Sequence, residues 1–336
     1  MARILVTGGA GYVGSVCCRQ LLAREHAVEV VDDLSTGFAD AVPPGAILHQ
    51  IGIEDQKALS RVLEGKRFDA VFHFAAKASV PESVVNPGPF FDVNVAGGVS
   101  LLETVRKHGI QNFVFSSSAA VYGTPRVVPI PEDHHKEPVN PYGESKLIFE
   151  QILRTYADSY GWSVIVFRYF NACGAAEGWG ERHAPETHII PLLLQAASGR
   201  RSSFEVFGRD YDTPDGTCLR DYVHVLDIAE AHLLAMEKME QAGFRAYNIG
   251  TGNSHSVKEI HQAAERISGK KIAIRSAPRR PGDPPVLCAS SQKLLHDFGW
   301  TPEHSSLDNI LKGAWNWEQH QCKQLLVEDV KSSAIS

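Results

Sequence analysis

The chain has 336 residues, 43% of them hydrophobic and 21% charged, which are ordinary globular values and exclude disordered and fibrous classes. Lys and Arg number 33 against 39 Asp and Glu, so the chain lacks the basic excess that binding to nucleic acids or anionic membranes requires. No apolar run approaches the roughly 20 residues of a membrane span. Six scattered cysteines without metal-ligand spacing predict buried thiols in a reducing compartment, hence a cytoplasmic protein without a metal site.

The first 170 residues alternate short β-branched runs with helical stretches, a pattern typical of an α/β protein with a doubly wound parallel sheet. The candidate strands are residues 3–7, 28–31, 70–74, 112–116 and 164–170. Their nearly continuous apolar character is expected where helices cover both faces of a sheet. The candidate helices are residues 13–25, 95–108 and 142–160. We expect residues 1–170 to form one domain.

From Asn171 onward the composition changes. Gly, Pro, His and charged residues crowd the segments 174–185 and 208–216. The elements predicted in this half are helices or strands at 189–197, 225–239, 246–249 and 257–267. Because no linker separates the halves, we expect residues 171–327 to form a smaller lobe against the sheet, with some elements returning to it. The small polar residues 328–336 predict a flexible tail.

Three glycines follow the first predicted strand and begin the first predicted helix. Gly8, Gly11 and Gly14 give the spacing G-x-x-G-x-x-G, which allows a tight turn and a close approach of backbone to a pyrophosphate. An ordinary turn is the alternative. Asp32, at the end of the second strand, favours a dinucleotide, because a carboxylate there binds an adenosine ribose and repels a 2′-phosphate. The pattern predicts NAD and not NADP, unless Asp32 is only a cap or turn residue.

A second set of residues indicates acid–base chemistry. Tyr142 and Lys146 lie four residues apart, hence on one face of a helix that Asn140 and a following proline would begin. A phenol titrates near 10, so it needs a nearby cation to act as a base at neutral pH. Tyr and Lys also meet at this spacing by chance. The serines 116–118, directly after a strand, strengthen the interpretation, because Ser118 can share a proton with a substrate oxygen.

Seven motifs occur in order along the chain. They are VTGGAGYVGS (6–15), HFAA (73–76), FSSSAAVYG (115–123), PYGESK (141–146), RYFN (168–171), DGTCLRDYVHV (215–225) and PRRPGD (278–283). Together they resemble the extended short-chain dehydrogenase/reductase enzymes and, within these, the UDP-glucose (UDP-galactose) 4-epimerases, over residues 2–319. The resemblance implies a Rossmann-type sheet, a substrate-binding second lobe, tightly bound and recycled NAD, a UDP-sugar substrate and a homodimer.

The resemblance also implies roles for individual residues. The catalytic residues would be Ser118, Tyr142 and Lys146. The cofactor contacts would be Gly8, Gly11, Tyr12, Val13, Gly14, Asp32, Phe74, Ala75, Ala76, Asn94, Ser116, Tyr142, Lys146 and Tyr169. The substrate contacts would be Ser118, Tyr142, Asn171, His188, Ile189, Val206, Phe207, Arg220, Tyr222, Arg280, Asp283 and Leu287. Arg220 and Arg280 would clamp the diphosphate and Asp283 the uridine ribose; a surface ion pair and a solvated basic pair are the alternatives.

The segment after Ser118 favours epimerisation over the reactions of sister enzymes. Sugar-nucleotide dehydratases and decarboxylases carry carboxylates there, whereas this chain has Ala119, Ala120 and Val121. The implied reaction begins when Tyr142 takes the C4 hydroxyl proton and the C4 hydride passes to NAD⁺. The 4-keto sugar then turns over, and the hydride returns to its other face. The products are interconverted UDP-glucose and UDP-galactose.

Three positions depart from the family pattern. Residues 51–55, IGIED, have Ile53 where relatives commonly place an Asp near the adenine, so adenine recognition would shift to backbone or be weaker. Ala78 stands where many relatives have a Lys near the nicotinamide ribose. Leu287 stands where some relatives have a Tyr that excludes N-acetylated sugars. We therefore expect tolerance of UDP-GlcNAc and UDP-GalNAc.

Two other functions remain open from the sequence. A UDP-xylose/UDP-arabinose 4-epimerase would share every motif quoted. A dinucleotide-binding regulator without catalysis is a more distant alternative, because such a protein need not keep Ser118, Tyr142 and Lys146 together. If the chain dimerises, the predicted helices 95–108 and 142–160 are the candidates for the shared four-helix bundle.

Overall fold

The computed structural model describes residues 1–176, 178–280 and 283–333, with the backbone alone for 326–333. The strands are β1 (Arg3–Thr7), β2 (Ala27–Val31), β3 (Ile47–His49), β4 (Ala70–His73), β5 (Asn112–Ser118), β6 (Ser163–Tyr169), β7 (Asn171–Cys173), β8 (Ala175–Ala176), β9 (Trp179–Gly180), β10 (Phe204–Phe207), β11 (Leu219–His224), β12 (Gly243–Ile249), β13 (Ser254–Ser256), β14 (Ile274–Ala277) and β15 (Val286–Leu287). The helices are α1 (Tyr12–Ala23), α2 (Gln56–Leu63), α3 (Val80–Val85), α4 (Gly88–Phe91), α5 (Gly98–Lys107), α6 (Pro141–Tyr160), α7 (Ile189–Ser198), α8 (Val225–Met236), α9 (Val257–Ser268), α10 (Gln292–Phe298) and α11 (Leu307–Ser333). Short 3₁₀ turns lie at Ala39–Ala41 and Ala119–Tyr122, and a π-helical segment at Asp92–Gly97.

Seven parallel strands form the central sheet in the order β3-β2-β1-β4-β5-β6-β12. This is the Rossmann order with β12 added at one edge. The order reverses between β1 and β4, which opens a crevice at the carboxyl ends of these strands, where such sheets bind their ligands. The predicted fold class, a Rossmann-type doubly wound sheet with a smaller lobe, is confirmed.

Alternating side chains of the strands enter two apolar layers, one on each face of the sheet. In β1, Leu5 belongs to the layer that contains Phe149 of α6, whereas its neighbour Val6 belongs to the layer that contains Val16 of α1. All four side chains are buried. Burial on both faces is the reason that these strands are nearly continuous apolar runs.

The second half of the chain supplies a smaller apolar core and also returns to the sheet. Helices α7, α9 and α11 pack together around that core, beside a small sheet in which β11 contacts β7, β13 and β15. Strand β12 joins the central sheet beside β6, and α8 packs on α1. The domain boundary after residue 170 stays a prediction. Of the predicted flexible tail, residues 328–333 are the last turns of α11, and Ala334–Ser336 lie outside the described residues.

One helix begins later than the apolar pattern predicts. The pattern indicated a helix over 95–108, but α5 starts at Gly98, because the preceding turns have π-helical hydrogen bonding through Gly97. Such segments are frequent at functional sites, and this one contains Asn94. In the part of the chain that is described, no helix combines the length and apolar character that crossing a bilayer demands.

Candidate active site

The glycine-rich loop lies where the strand order reverses. Gly8 has a φ of +75°, and its amide donates to the carbonyl of Val31 at 2.9 Å. A Cβ atom on Gly8 would lie 2.4 Å from the backbone nitrogen of Ala75, and one on Gly14 would lie 2.2 Å from the carbonyl oxygen of Gly8. The loop, the start of α1 and the end of β4 are therefore closer than side chains would permit. Bare backbone at a helix N-terminus fits a pyrophosphate, as NAD requires.

Asp32 lies at the end of β2, beside this loop. Its carboxylate accepts hydrogen bonds at 2.9 Å from the amides of Ala10 and Leu34. Burial raises the pKa of Asp32, and the two amides oppose that shift. These hydrogen bonds hold the carboxylate at the end of β2, where it can accept hydrogen bonds from the hydroxyls of an adenosine ribose. The residues present therefore fit NAD.

The other residues predicted to contact the cofactor surround the same crevice. Tyr12 and Val13 are the first residues of α1. The amides of Phe74 and Ala75 both donate to the carbonyl of Thr7, which places the segment through Ala76 beside the end of β1. This pairing arises because β1 and β4 are neighbours in the sheet.

The segment expected near an adenine has no free aspartate. Asp55 caps α2 by accepting a hydrogen bond from Ala58 at 2.9 Å. Glu54 folds back over Gly52, where an added Cβ would meet its carboxylate at 2.1 Å. Ile53 is buried. How an adenine is recognised here, by backbone or more weakly, stays a prediction.

Asn94 connects the segment after β4 to α6. It accepts from the amide of Lys77 at 2.8 Å and donates to the Lys77 carbonyl at 3.0 Å and to the Ser145 hydroxyl at 2.9 Å. Asn94 is buried. Its position thus holds one wall of the crevice against the helix that carries Tyr142.

The residues predicted to be catalytic meet at the start of α6. Asn140 caps this helix by accepting a hydrogen bond from Gly143 at 2.8 Å, as the sequence predicts. One turn separates Tyr142 from Lys146, whose Nζ atom lies 5.9 Å from the centre of the Tyr142 ring. The same Nζ donates to the carbonyl of Ser116 at 2.8 Å. Strand β5 therefore positions the lysine beside the phenol.

The protonation of this group is set by burial and by close contacts. Burial raises the pKa of Tyr142, while its contact with the Ser118 side chain lowers it in part. Burial lowers the pKa of Lys146 to about 7. Desolvation disfavours both charged forms. The protonated form of Lys146 would favour the phenolate of Tyr142. The phenolate can then take a proton from a substrate hydroxyl.

A buried network behind β5 was missed by the sequence analysis. Ser117 donates to Glu150 at 2.6 Å, and Glu150 forms an ion pair with Arg168 through contacts of 3.0 and 2.6 Å. Arg168 also donates to the hydroxyl of Tyr122, which donates to Asn248 of β12 at 2.7 Å. Each polar side chain of this network therefore has a hydrogen-bond partner. The available signal was spacing, since Glu150 follows Lys146 by four residues on the same helix.

Tyr169 is placed with its hydroxyl in the core and not free in the crevice. The hydroxyl lies 2.8 Å from Nε2 of His232, and Nδ1 of His232 lies 2.9 Å from the carbonyl of Ile228. Burial lowers the pKa of His232 to about 4, so the ring is neutral, donating from Nδ1 and accepting at Nε2. No spacing in the sequence indicates this pair.

In the second half, β11 brings five of the predicted substrate residues together. Arg220 forms an ion pair with Asp283. Arg220 is also paired in register with Leu287 of β15, and Tyr222 is paired with Asn171 of β7. These residues lie far apart in the chain and meet only because β11 pairs with both strands.

The remaining predicted substrate residues divide into two groups. The guanidinium of Arg280 lies 4.0 Å over the ring of Phe207, on the strand that contains the buried Val206. Arg279, its neighbour, instead contacts Asp210 at 2.8 Å. Residues 281 and 282 of the same motif lie outside the described residues.

The second group is His188 and Ile189, which lie at the start of helix α7 and not on the strands of the second half. His188 is the N-cap residue, and its imidazole contacts Glu181 and Glu186. His183 faces the same two carboxylates. The sequence analysis missed this cluster, although two histidines and two glutamates within eight residues were a signal.

Comparison with known proteins agrees with this geometry. Residues 4–250 match the model of the "NAD dependent epimerase/dehydratase family". A UDP-glucose 4-epimerase of Corynebacterium glutamicum is 45% identical, covering 93% of this chain and 94% of the relative. One of Lacticaseibacillus casei is 46% identical, covering 94% and 97%. The crystal structure of a UDP-glucose 4-epimerase from Brucella ovis in complex with NAD, 43% identical, superposes with a TM-score of 0.91 and covers 95% of this chain and 99% of that one. The chain belongs to the NAD-dependent epimerase/dehydratase family.

Proposed function

We propose that this protein is an NAD-dependent UDP-glucose 4-epimerase that interconverts UDP-glucose and UDP-galactose through a transient 4-keto sugar. The observation that carries the proposal is the meeting of Tyr142, Ser118 and Lys146 beside the glycine-rich loop. The similarity to curated UDP-glucose 4-epimerases over almost the whole chain supports the same assignment.

The three side chains have distinct roles in this proposal. The phenol oxygen of Tyr142 takes the C4 hydroxyl proton, and the Ser118 hydroxyl orients the same substrate oxygen. Lys146, held by the carbonyl of Ser116, supplies positive charge that favours the phenolate. NAD, when bound, supplies the acceptor and later the donor of the C4 hydride. On return, Tyr142 gives its proton back to the sugar oxygen.

Inversion requires a nucleotide that is held firmly and a sugar that can turn. Arg220 is buried, and Asp283 fixes its orientation through their ion pair, so its guanidinium suits a diphosphate. Arg280 is the proposed second diphosphate contact, and its guanidinium is held by stacking on the ring of Phe207. Asp283 retains carboxylate oxygen for the uridine ribose.

The described segment that follows Ser118 supplies no acid with which to eliminate water from the keto sugar. Ala119 and Val121, which follow the Ser118 hydroxyl, are buried apolar residues. Glu150 lies behind the same strand, but it is bound by Arg168 and Ser117. The 4-keto sugar is therefore expected to be reduced again at C4, and the reaction is epimerisation and not dehydration.

The experiment uses the purified chain without added cofactor. The protein is denatured and the supernatant is assayed for NAD, and the native protein is assayed with UDP-galactose. We expect stoichiometric NAD and formation of UDP-glucose. Bound NAD with turnover of UDP-xylose alone would move the assignment to the pentose enzyme. Bound NAD without turnover of any UDP-sugar would support the regulator.

We also propose that the enzyme accepts N-acetylated sugars. Leu287 lies in register with Arg220 and is smaller than the Tyr that excludes them in some relatives. Leu287→Tyr should lower turnover of UDP-GalNAc more than turnover of UDP-galactose. A wild-type enzyme that does not turn over UDP-GalNAc would contradict this extension and leave the main assignment intact.

The proposed partner is a second copy of the chain. Helices α5 and α6 are the candidates for the shared bundle, and Tyr160 at the end of α6 is 45% exposed, with Arg106 of α5 stacked on its ring. Light scattering after gel filtration should give about twice the chain mass of 36.8 kDa. A monomer at micromolar concentration would contradict the dimer.

A further inference from the structure

We propose that Glu181, His183, Glu186 and His188 bind a divalent transition metal of the zinc class. Each residue offers one ligand atom, and the four atoms all lie within 4.8 Å of one another. The four residues lie between β9 and the start of α7, outside the group of Ser118, Tyr142 and Lys146. His188 is also a predicted substrate contact, whereas the other three residues have no role in the proposed reaction.

The spacing of the ligand atoms matches a coordination sphere. Nδ1 of His183 lies 3.1 Å from Oε1 of Glu181 and 3.7 Å from Oε2 of Glu186. Nδ1 of His188 lies 3.5 Å from Oε1 of Glu186 and also contacts Glu181. Ligands about 2.1 Å from a tetrahedral zinc ion are about 3.4 Å apart. Three of the separations are near this value, and binding of an ion would draw the other pairs, which lie within 4.8 Å, closer together.

A second observation concerns the hydrogen bonding of Glu181. Its side chain is only 5% exposed, and its Oε1 atom is buried with no hydrogen-bond donor among the described residues. The two imidazole nitrogens approach this oxygen without the alignment of a hydrogen bond. A buried carboxylate oxygen in that state is costly unless it is paired or coordinates a metal. This oxygen is ion-paired with both imidazoles, and a metal ion between the three groups would replace those contacts.

The donor set determines the class of metal. Two imidazole nitrogens and two carboxylate oxygens suit zinc and its neighbours, whereas calcium and magnesium prefer oxygen alone. Four protein ligands complete a tetrahedral sphere, which is typical of structural sites and not of catalytic ones. A cavity of about 60 Å³ borders Glu181, His183 and Glu186.

The surrounding structure holds the ligands in place. The amides of Thr187 and His188 donate to Oε1 of Glu186 at 2.7 and 2.8 Å, which orients that carboxylate. Trp317 of α11 donates to the carbonyl of Glu181 at 2.9 Å. Because outer hydrogen bonds of this kind orient metal ligands, the site is supported on two sides. A bound ion would join the segment after β9 to α7.

The test measures metal in the full chain, purified without a histidine tag. The protein is incubated with zinc, dialysed against metal-free buffer and analysed by plasma mass spectrometry. We expect about one zinc per chain in the wild type and at least a tenfold loss in His183→Gln and Glu186→Gln. The matched control is His296→Gln, because His296 is an exposed histidine that contacts a carboxylate, Asp297, at 2.7 Å. It should keep its zinc.

Cobalt gives a second measurement that needs no variant. Cobalt added to the wild type should show the visible bands of four-coordinate Co²⁺ without the near-ultraviolet band of thiolate ligands, which separates this site from the cysteines. Zinc should displace it. Zinc-free wild type, equal zinc in wild type and Glu186→Gln, or a thiolate band would each overturn the proposal and leave the cluster as histidine–glutamate ion pairs.

Discussion

The cofactor side and the substrate side of the crevice are built differently. On the cofactor side, recognition depends on backbone geometry among residues close in sequence, as in the approach of Gly14 to Gly8. On the substrate side, it depends on side chains from distant strands, as in the ion pair of Arg220 with Asp283. A local site is specified by a short motif, whereas a site assembled from strands depends on the whole small sheet. Substitutions on the cofactor side should therefore change kcat or the content of bound NAD. Substitutions on the substrate side should change KM.

The largest expected effect tests the chemistry. Tyr142→Phe removes the proposed base and should lower kcat by about a thousandfold, because positioned acid–base groups contribute at this scale. Bound NAD should remain, since the ring is kept. Tyr160→Phe, at the exposed end of the same helix, is the control and should retain its activity. A kcat within tenfold of the wild type would assign the base to another group.

The next effect tests the backbone geometry of the cofactor side. Gly14→Ala places a Cβ atom 2.2 Å from the carbonyl of Gly8. We expect the free energy of unfolding to fall by about 1–3 kcal/mol and the NAD content of the purified protein to drop. Gly88→Ala meets no atom within 4 Å and should change neither quantity. Full NAD retention in Gly14→Ala would show that the loop is not the pyrophosphate site.

The third effect tests the substrate side. Arg220→Gln removes the proposed diphosphate contact and leaves the Asp283 carboxylate unpaired. KM for UDP-galactose should rise about tenfold, equivalent to about 1.4 kcal/mol, with bound NAD unchanged. Arg24→Gln, which removes an exposed ion pair with Glu230, should leave KM unchanged. If Arg220→Gln lost NAD as well, the two sides would not be independent.

The smallest effect is a pH dependence of stability. The pKa of Lys146 is about 7 in the folded protein against an ordinary value of 10.5, so above pH 7 the unfolded chain binds the additional proton. Relative to Lys146→Met, the free energy of unfolding of the wild type should rise by about 1 kcal/mol per pH unit between pH 7 and 9. The penalty of burying the charge is fully present below pH 7. Urea unfolding of both proteins across this range measures the difference, and a difference that stays constant from pH 7 to 9 would contradict the prediction.

The sequence predicted elements whose cause is local. The glycine loop, the cap at Asn140 and the shared face of Tyr142 and Lys146 all follow from spacings of a few residues, and the structure has them. Spacing indicated only that Glu150 shares a helix face with Lys146; its ion pair with Arg168 depends on how α6 packs on β6. The predicted start of helix α5 at residue 95 was also wrong, because hydrophobic periodicity does not distinguish a π-helical turn from an α-helical one.

The hydrogen bond from the Tyr12 hydroxyl to the carbonyl of Gly174, 2.6 Å long, crosses from the first half of the chain to the second. Tyr12 begins the helix whose N-terminus fits a pyrophosphate, so this bond joins the two halves of the chain beside the proposed cofactor site. This contact would therefore favour retention of a bound dinucleotide. In the proposed enzyme the same cofactor molecule would then serve many successive cycles. The rate would be insensitive to the ratio of oxidised to reduced nicotinamide in the cell, and sugar interconversion would be insulated from respiratory state.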